Sequence, residues 1–165
     1  MIKMVIFDVD GVLTDGSIML DSVGVETKRF DVQDGTGIKY LLRAGICVAF
    51  LTGRQSAAVG FRAKELGAIE IIQGAKQKLP CYRALIERHG LTDDEVCYVG
   101  DDLPDVPVMR RVGLPVAVAN AQPEAIKEAR FVTKAAGGRG AAREVAEKIL
   151  KDQGLWDSIV ARYYQ

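Results

Sequence analysis

The chain has 165 residues, 48% hydrophobic and 27% charged, with 22 Lys+Arg matched by 22 Asp+Glu. That is one domain of ordinary composition, with enough apolar material for a core that needs neither disulfides nor a structural metal. Zero net charge and a pI near 6.6 exclude a polybasic nucleic-acid or membrane-surface binder, and no apolar run approaches the roughly 18 residues of a membrane span.

In chain order, Met4–Phe7 is the first strand, apolar throughout and cut short by Asp8, so the N-terminus does not read as a signal peptide. Ser17–Asp21 and Glu26–Asp31 flank Ser22-Val23-Gly24-Val25 and read as a β-hairpin, placed where an α/β unit would pass straight into a helix. A helix is expected over Gly37–Ala44, with Asp34 as its candidate cap. Strands then fall at Val48–Leu51, Ile69–Ile72, Val96–Val99 and Val116–Val118. Helices fall at Ser56–Leu66, Gln77–Arg88, Val106–Val112 and Pro123–Ala129, with Gly67 and Gly90 just past two ends and Pro123 in a first turn. A glycine-rich stretch, Ala135–Gly140, precedes a final helix near Ala141–Gln153. Strand–helix alternation predicts an α/β fold with a doubly wound, Rossmann-like parallel sheet. With no repeat and no linker, residues 1–165 form a single domain with a hairpin flap (17–31) and a C-terminal tail (135–165).

In such a sheet, ligands bind beyond the carboxyl ends of the strands. Those ends carry Asp8-Val9-Asp10-Gly11, then Thr52-Gly53-Arg54, then Lys76 and Lys78, then Gly100-Asp101-Asp102 with Asp105. Carboxylates gathered this closely repel one another, and a divalent cation is the usual compensation. Oxygen donors without His or Cys favour Mg²⁺. An ionised Asp beside Mg²⁺ and lysine can attack phosphorus, and a second carboxyl two residues on can protonate the departing alkoxide and later activate water. The Thr52 hydroxyl and following backbone N–H groups suit non-bridging phosphoryl oxygens. The parts are those of a phosphomonoesterase. Cys47, Cys81 and Cys97 fit neither a disulfide framework nor a zinc pattern and suit a reducing cytoplasm; His89, at a helix end, reads as a surface residue.

Asp8-Val-Asp10-Gly-Val, a hydrophobic strand ending in Thr52, Lys78, and Gly100-Asp101-Asp102-x-x-Asp105 resemble, in order, the four motifs of the haloacid dehalogenase phosphatase superfamily. Asp10-Gly11-Val12-Leu13-Thr14-Asp15-Gly16, Val32–Gly37, Gly100–Met109 and Ala136–Gly140 further resemble its capless KDO 8-phosphate (3-deoxy-D-manno-octulosonate 8-phosphate) phosphatase family, over about Met4 to Leu150. The resemblance implies Asp8 as nucleophile and Mg²⁺ ligand, and Asp10 as general acid/base and ligand through its carbonyl. It implies Asp101 as third ligand, supported by Asp102 and Asp105. Thr52, Gly53 and Lys78 would hold the phosphoryl group, Lys78 being preferred to Lys76 for its spacing from Gln73. Arg54 suits a carboxylate-bearing sugar, where relatives acting on the nine-carbon KDN 9-phosphate are expected to carry Glu. The glycine-rich stretch is implied to begin a mobile tail that brings Arg139 towards substrate in a neighbouring subunit.

Only 44 positions separate Asp8 from Thr52 and 26 separate Thr52 from Lys78, too few for a cap domain of roughly 50 residues. The resemblance therefore implies a tetramer in which hairpin or tail closes a neighbouring site. A phosphatase of another sialic-acid-like sugar phosphate is the alternative substrate reading. A phosphoacceptor signalling domain is the alternative outside enzymes, but it would place its phosphoacceptor later in the chain and lack the acid at Asp10. Neither nucleic acid nor membrane is expected as a partner; the substrate is a small sugar phosphate.

Overall fold

The computed structural model describes residues 1–165. Six strands form one sheet in the order β5-β4-β1-β6-β7-β8: Glu70–Ile72, Cys47–Leu51, Met4–Phe7, Val96–Gly100, Leu114–Ala117 and Phe131–Val132. Every pairing is parallel. The strands are continuous apolar runs because both faces are covered; β1, for example, is wholly buried. The connecting helices are α1 (Val32–Arg43), α2 (Ala57–Leu66), α3 (Lys78–Arg88), α4 (Val106–Met109), α5 (Pro123–Glu128), α6 (Ala141–Asp152) and α7 (Trp156–Ala161). The chain winds from β1 outwards through β4 to β5, then returns to β6 on the other flank of β1. That reversal is the switch point of a doubly wound sheet, and it opens a crevice beyond β1 and β6. No cap domain covers it, and no helix is long and apolar enough to cross a membrane.

Several boundaries differ from the sequence expectation. The hairpin shrinks to β2 (Met19–Leu20) and β3 (Glu26–Thr27), paired antiparallel around Asp21–Val25. Helix α1 begins five residues early, because extended Asp31 caps it: its Oδ1 accepts from the backbone N–H of Gln33 and Asp34 at 2.7 and 3.2 Å. Asp34 is therefore not the cap of α1. It lies one turn inside the helix, buried, and accepts from Arg143 N at 3.0 Å and Gly140 N at 3.4 Å, capping α6 instead. Burial pushes its carboxyl up to about 6. Strand β8 and helix α7 were not anticipated; each is short, and β8 lies at the sheet edge.

The C-terminal segment packs on the body of the domain. Helix α6 buries six residues, and α7 docks through Trp156, whose ring sits edge-on to Tyr40 at 6.0 Å. Gly137 and Gly138 press on the chain's own loop after β1, with Gly138 N donating to Val12 O at 2.9 Å. A Cβ on Gly137 would collide with Gly11 O, and one on Gly138 with Thr14, so only glycine allows this approach. The stretch thus packs on the loop that carries Asp8 and Asp10.

Candidate active site

Register explains the convergence. Phe7 pairs with Phe50 on one side and Val99 on the other, so Asp8, Thr52 and Asp101 leave the sheet side by side. Asp8 is buried, and its Oδ1 accepts from Val9 N at 2.7 Å and meets Lys78 Nζ at 2.9 Å. Lys78, at the start of α3, is 5% exposed, whereas Lys76 is exposed on the preceding loop. The Lys78 ammonium also contacts Asp105 Oδ1 at 2.6 Å and Tyr98 Oη at 3.2 Å. Geometry thus selects Lys78 as the lysine beside Asp8.

Asp105 is fully engaged. Its Oδ1 takes Lys78 and the Tyr98 hydroxyl (2.5 Å), and its Oδ2 accepts Asp101 N and Asp102 N at 2.9 and 3.2 Å. It therefore shapes the turn that presents Asp101, while Asp102 caps that turn through Leu103 N. Tyr98 lies within β6, and only the fold reveals its hydroxyl partners.

Carboxylate oxygens of Asp8, Asp101 and Asp105 lie within 4.8 Å of one another. Burial, with Asp105 beside it, pushes Asp8 up to about 6 despite Lys78. Burial and the charge of Asp8 push Asp101 to about 8. The residues present fit a hard divalent cation: oxygen donors only, mutual repulsion that a cation would relieve, and an approach kept open by Gly11. Gly11 has φ +87°, and a Cβ there would collide with Asp101 Oδ2. Asp8 and Asp101 would hold the ion through their carboxylates; Asp105 is already occupied by its four hydrogen-bonding partners.

This arrangement makes a prediction. An acid raised on folding contributes stability below its unfolded value and loses it as pH rises through about 6 (Asp8) and about 8 (Asp101). A cation must displace those protons. The Mg²⁺-induced rise in Tm is therefore expected to grow from pH 5.5 to pH 8, with proton release on Mg²⁺ addition at pH 7. A rise independent of pH would contradict the assignment.

Asp10 is held differently. Its Oδ1 meets the Lys28 ammonium at 2.5 Å, and Lys28 also contacts Glu26 Oε1 at 2.7 Å. Glu26 in turn accepts from Arg54 at 2.8 Å. An ion chain thus runs from Asp10 through the hairpin to Arg54. Sequence reading missed Lys28 and Glu26; the one signal was two charges two residues apart, hence on one face of a strand. Thr52 is buried, its backbone O accepting from Ala75 N at 3.0 Å, which ties Thr52-Gly53-Arg54 to the loop before Lys78. Arg139 stands at the rim, mostly exposed and 4.0 Å from Asp15. His89 lies away at the end of α3, 3.2 Å from Glu70.

The model of the haloacid dehalogenase-like hydrolases matches residues 58–145. The 3-deoxy-D-manno-octulosonate 8-phosphate phosphatase KdsC of Salmonella typhi is 47% identical over 156 residues, 94% of this chain and 83% of the relative. The chain belongs to the KDO 8-phosphate phosphatase family of haloacid dehalogenase-like hydrolases. A probable YrbI-family phosphatase from Pseudomonas syringae superposes with a TM-score of 0.98 at 46% identity, over 99% of this chain and 93% of that one. The Moraxella catarrhalis KDO 8-phosphate phosphatase, solved with magnesium, phosphate and KDO, gives 0.96 at 44% identity over 98% and 93%. As a KDO 8-phosphate phosphatase family member the chain is a phosphatase, and the phosphoacceptor reading is set aside.

Proposed function

We propose that this enzyme is a Mg²⁺-dependent phosphomonoesterase that converts KDO 8-phosphate to KDO and phosphate in the cytoplasm, within lipopolysaccharide precursor synthesis. The observation that carries the chemistry is Asp8 at the switch point, one oxygen fixed by Val9 N and Lys78, beside Asp101. The 47% identity to KdsC phosphatases supports the substrate.

The free oxygen of Asp8 attacks phosphorus as the phosphorus–ester oxygen bond breaks, leaving an aspartyl-phosphate. Asp10 gives its proton to the departing alkoxide, then takes one from the water that attacks phosphorus and releases Asp8. Lys78, the Thr52 hydroxyl and the N–H groups of Gly53 and Arg54 hold the non-bridging oxygens. Asp8, the Asp10 carbonyl and Asp101 would hold Mg²⁺, which when bound would supply charge neutralisation for the phosphate dianion. Arg54 receives the sugar carboxylate after exchanging Glu26, and Arg139 lies at the rim for the sugar.

Among sugar phosphates, kcat/KM should be highest for KDO 8-phosphate, and Arg54→Ala should lower it about 10–100-fold, the loss of one charged hydrogen-bonded pair. Equal loss on a neutral sugar phosphate would remove Arg54 from carboxylate recognition, and no preference for an eight-carbon acid would reassign the substrate to a related sialic-acid-type phosphate.

The open site and the exposed apolar hairpin residues Ile18, Leu20, Val23 and Val25 support association into a homotetramer, each hairpin tip covering a neighbouring site. Sedimentation should give an oligomer; a monomer with full activity on KDO 8-phosphate would exclude this arrangement.

A further inference from the structure

Lys28 is the hairpin side chain that reaches Asp10. It follows β3, its side chain is 1% exposed, and its ammonium sits between Asp10 Oδ1 and Glu26 Oε1 at 2.5 and 2.7 Å. The rest of the hairpin is thin and largely exposed, with only two residues in each strand. Glu26 on β3 and Lys28 just beyond it are two residues apart and meet at 2.7 Å, so the stem delivers both groups to the same place. A buried ammonium is retained only where paired, and this one has both its partners within ion-pair distance.

The carboxylate of Asp10 has a different support from that of Asp8. Asp8 is gripped by its own loop and by α3, whereas the side-chain partner of Asp10 comes from the hairpin. An ammonium donating to Oδ1 restrains the carboxyl rotamer and leaves Oδ2 as the oxygen that Lys28 does not engage. Proton transfer needs its oxygen within hydrogen-bond reach of the leaving group, so a carboxyl free to rotate loses much of its value. Glu26, engaged in turn by Arg54 at 2.8 Å, keeps Lys28 at that position.

We propose that Lys28 is the positioning residue for Asp10, with Glu26 holding Lys28, so that the hairpin of each subunit orients the proton donor of its own site. This rests on the reading of Asp10 as acid/base. The consequence depends on the leaving group. A sugar alkoxide needs a proton as the phosphorus–oxygen bond breaks, whereas p-nitrophenolate leaves without one. For both substrates kcat/KM covers the steps up to transfer of the phosphoryl group to Asp8, before water attacks, so their ratio isolates donation to the leaving group.

The test compares kcat/KM on KDO 8-phosphate and p-nitrophenyl phosphate for wild type, Lys28→Met, Glu26→Gln and Asp10→Asn. The sugar-phosphate to p-nitrophenyl phosphate ratio should fall about 10–100-fold in Lys28→Met, more in Asp10→Asn and less in Glu26→Gln, within the 10²–10⁴ range of a general acid. Lys28→Met added to Asp10→Asn should lower the ratio no further. The Mg²⁺-induced rise in Tm should persist in Lys28→Met. A ratio unchanged in Lys28→Met while it falls in Asp10→Asn overturns the proposal, as does loss of the Mg²⁺ response. A ratio unchanged in Asp10→Asn itself overturns the acid/base reading beneath it. If Lys28→Met does not fold, Glu26→Gln decides by the same ratio.

Discussion

Lys78→Met is expected to be the most destabilising single change at this site, costing about 3–5 kcal/mol. In a domain of this size that lowers Tm by roughly 6–20 °C. The methionine keeps the apolar stem but removes the buried cation between Asp8 and Asp105. Asp105 would retain the Tyr98 hydroxyl and two backbone donors, while Asp8 would retain only Val9 N. The sign with pH follows from Asp8. Burial and Asp105 raise it to about 6, and Lys78 is what opposes them. Without Lys78 it rises further, and a raised acid loses its contribution as pH climbs through its folded value. Lys78 is itself held above its ordinary value by Asp8 and Asp105 against burial, so its own stabilisation is present throughout this range. The deficit should therefore be larger at pH 8 than at pH 5. Activity should fall at least ~10²-fold, because the phosphate dianion would approach Asp8 with no ammonium beside it. Thermal melts at both pH values check this; a Tm change under about 2 °C, or one equal at both, would contradict it.

What was legible in the sequence is what parallel topology projects onto the chain. Strand ends at a switch point gather whatever follows them, so Asp8, Thr52 and Asp101 could be placed together from strand positions, with Lys76 and Lys78 both left as the lysine beside them. The partners of those residues were not legible, because they depend on packing between distant segments. Asp34 is the clearest instance. Locally, an acid before a glycine and an apolar run looks like a cap, yet its acceptor role is towards Arg143, 109 residues away. Lys28 and Tyr98 are similar: one lies in a hairpin arm and the other in a strand, and only the fold supplies their partners Asp10 and Asp105. The glycine pair Gly137-Gly138 lies in the stretch that the resemblance implied to begin a mobile tail. Its observed use is a backbone-to-backbone contact with the loop that follows Asp8 and Asp10. The same residue type serves mobility or close packing, and only the neighbour decides which.

Asp8→Asn separates the two carboxylates of Asp8-Val9-Asp10, since activity is expected to drop at least ~10³-fold while the fold is retained. An amide matches the carboxylate in shape and can still accept from Val9 N and Lys78, but it cannot displace an alkoxide from phosphorus and form an acyl-phosphate. Asp10 cannot substitute, because it is held by Lys28 on the hairpin side, away from the Lys78 ammonium that accompanies the incoming phosphate. Acid quenching during turnover should trap a phosphorylated wild-type chain, with the label on the peptide containing Asp8, and none in Asp8→Asn. Asp10→Asn should behave in the opposite sense on p-nitrophenyl phosphate, where the phosphoenzyme accumulates because water is no longer activated. Label on Asp10, or more than ~1% of wild-type activity in Asp8→Asn, would exchange the roles of the two residues. Such an exchange would also leave the Lys78 contact to Asp8 without a catalytic use, since Lys78 is the buried cation whose position favours attack from Asp8.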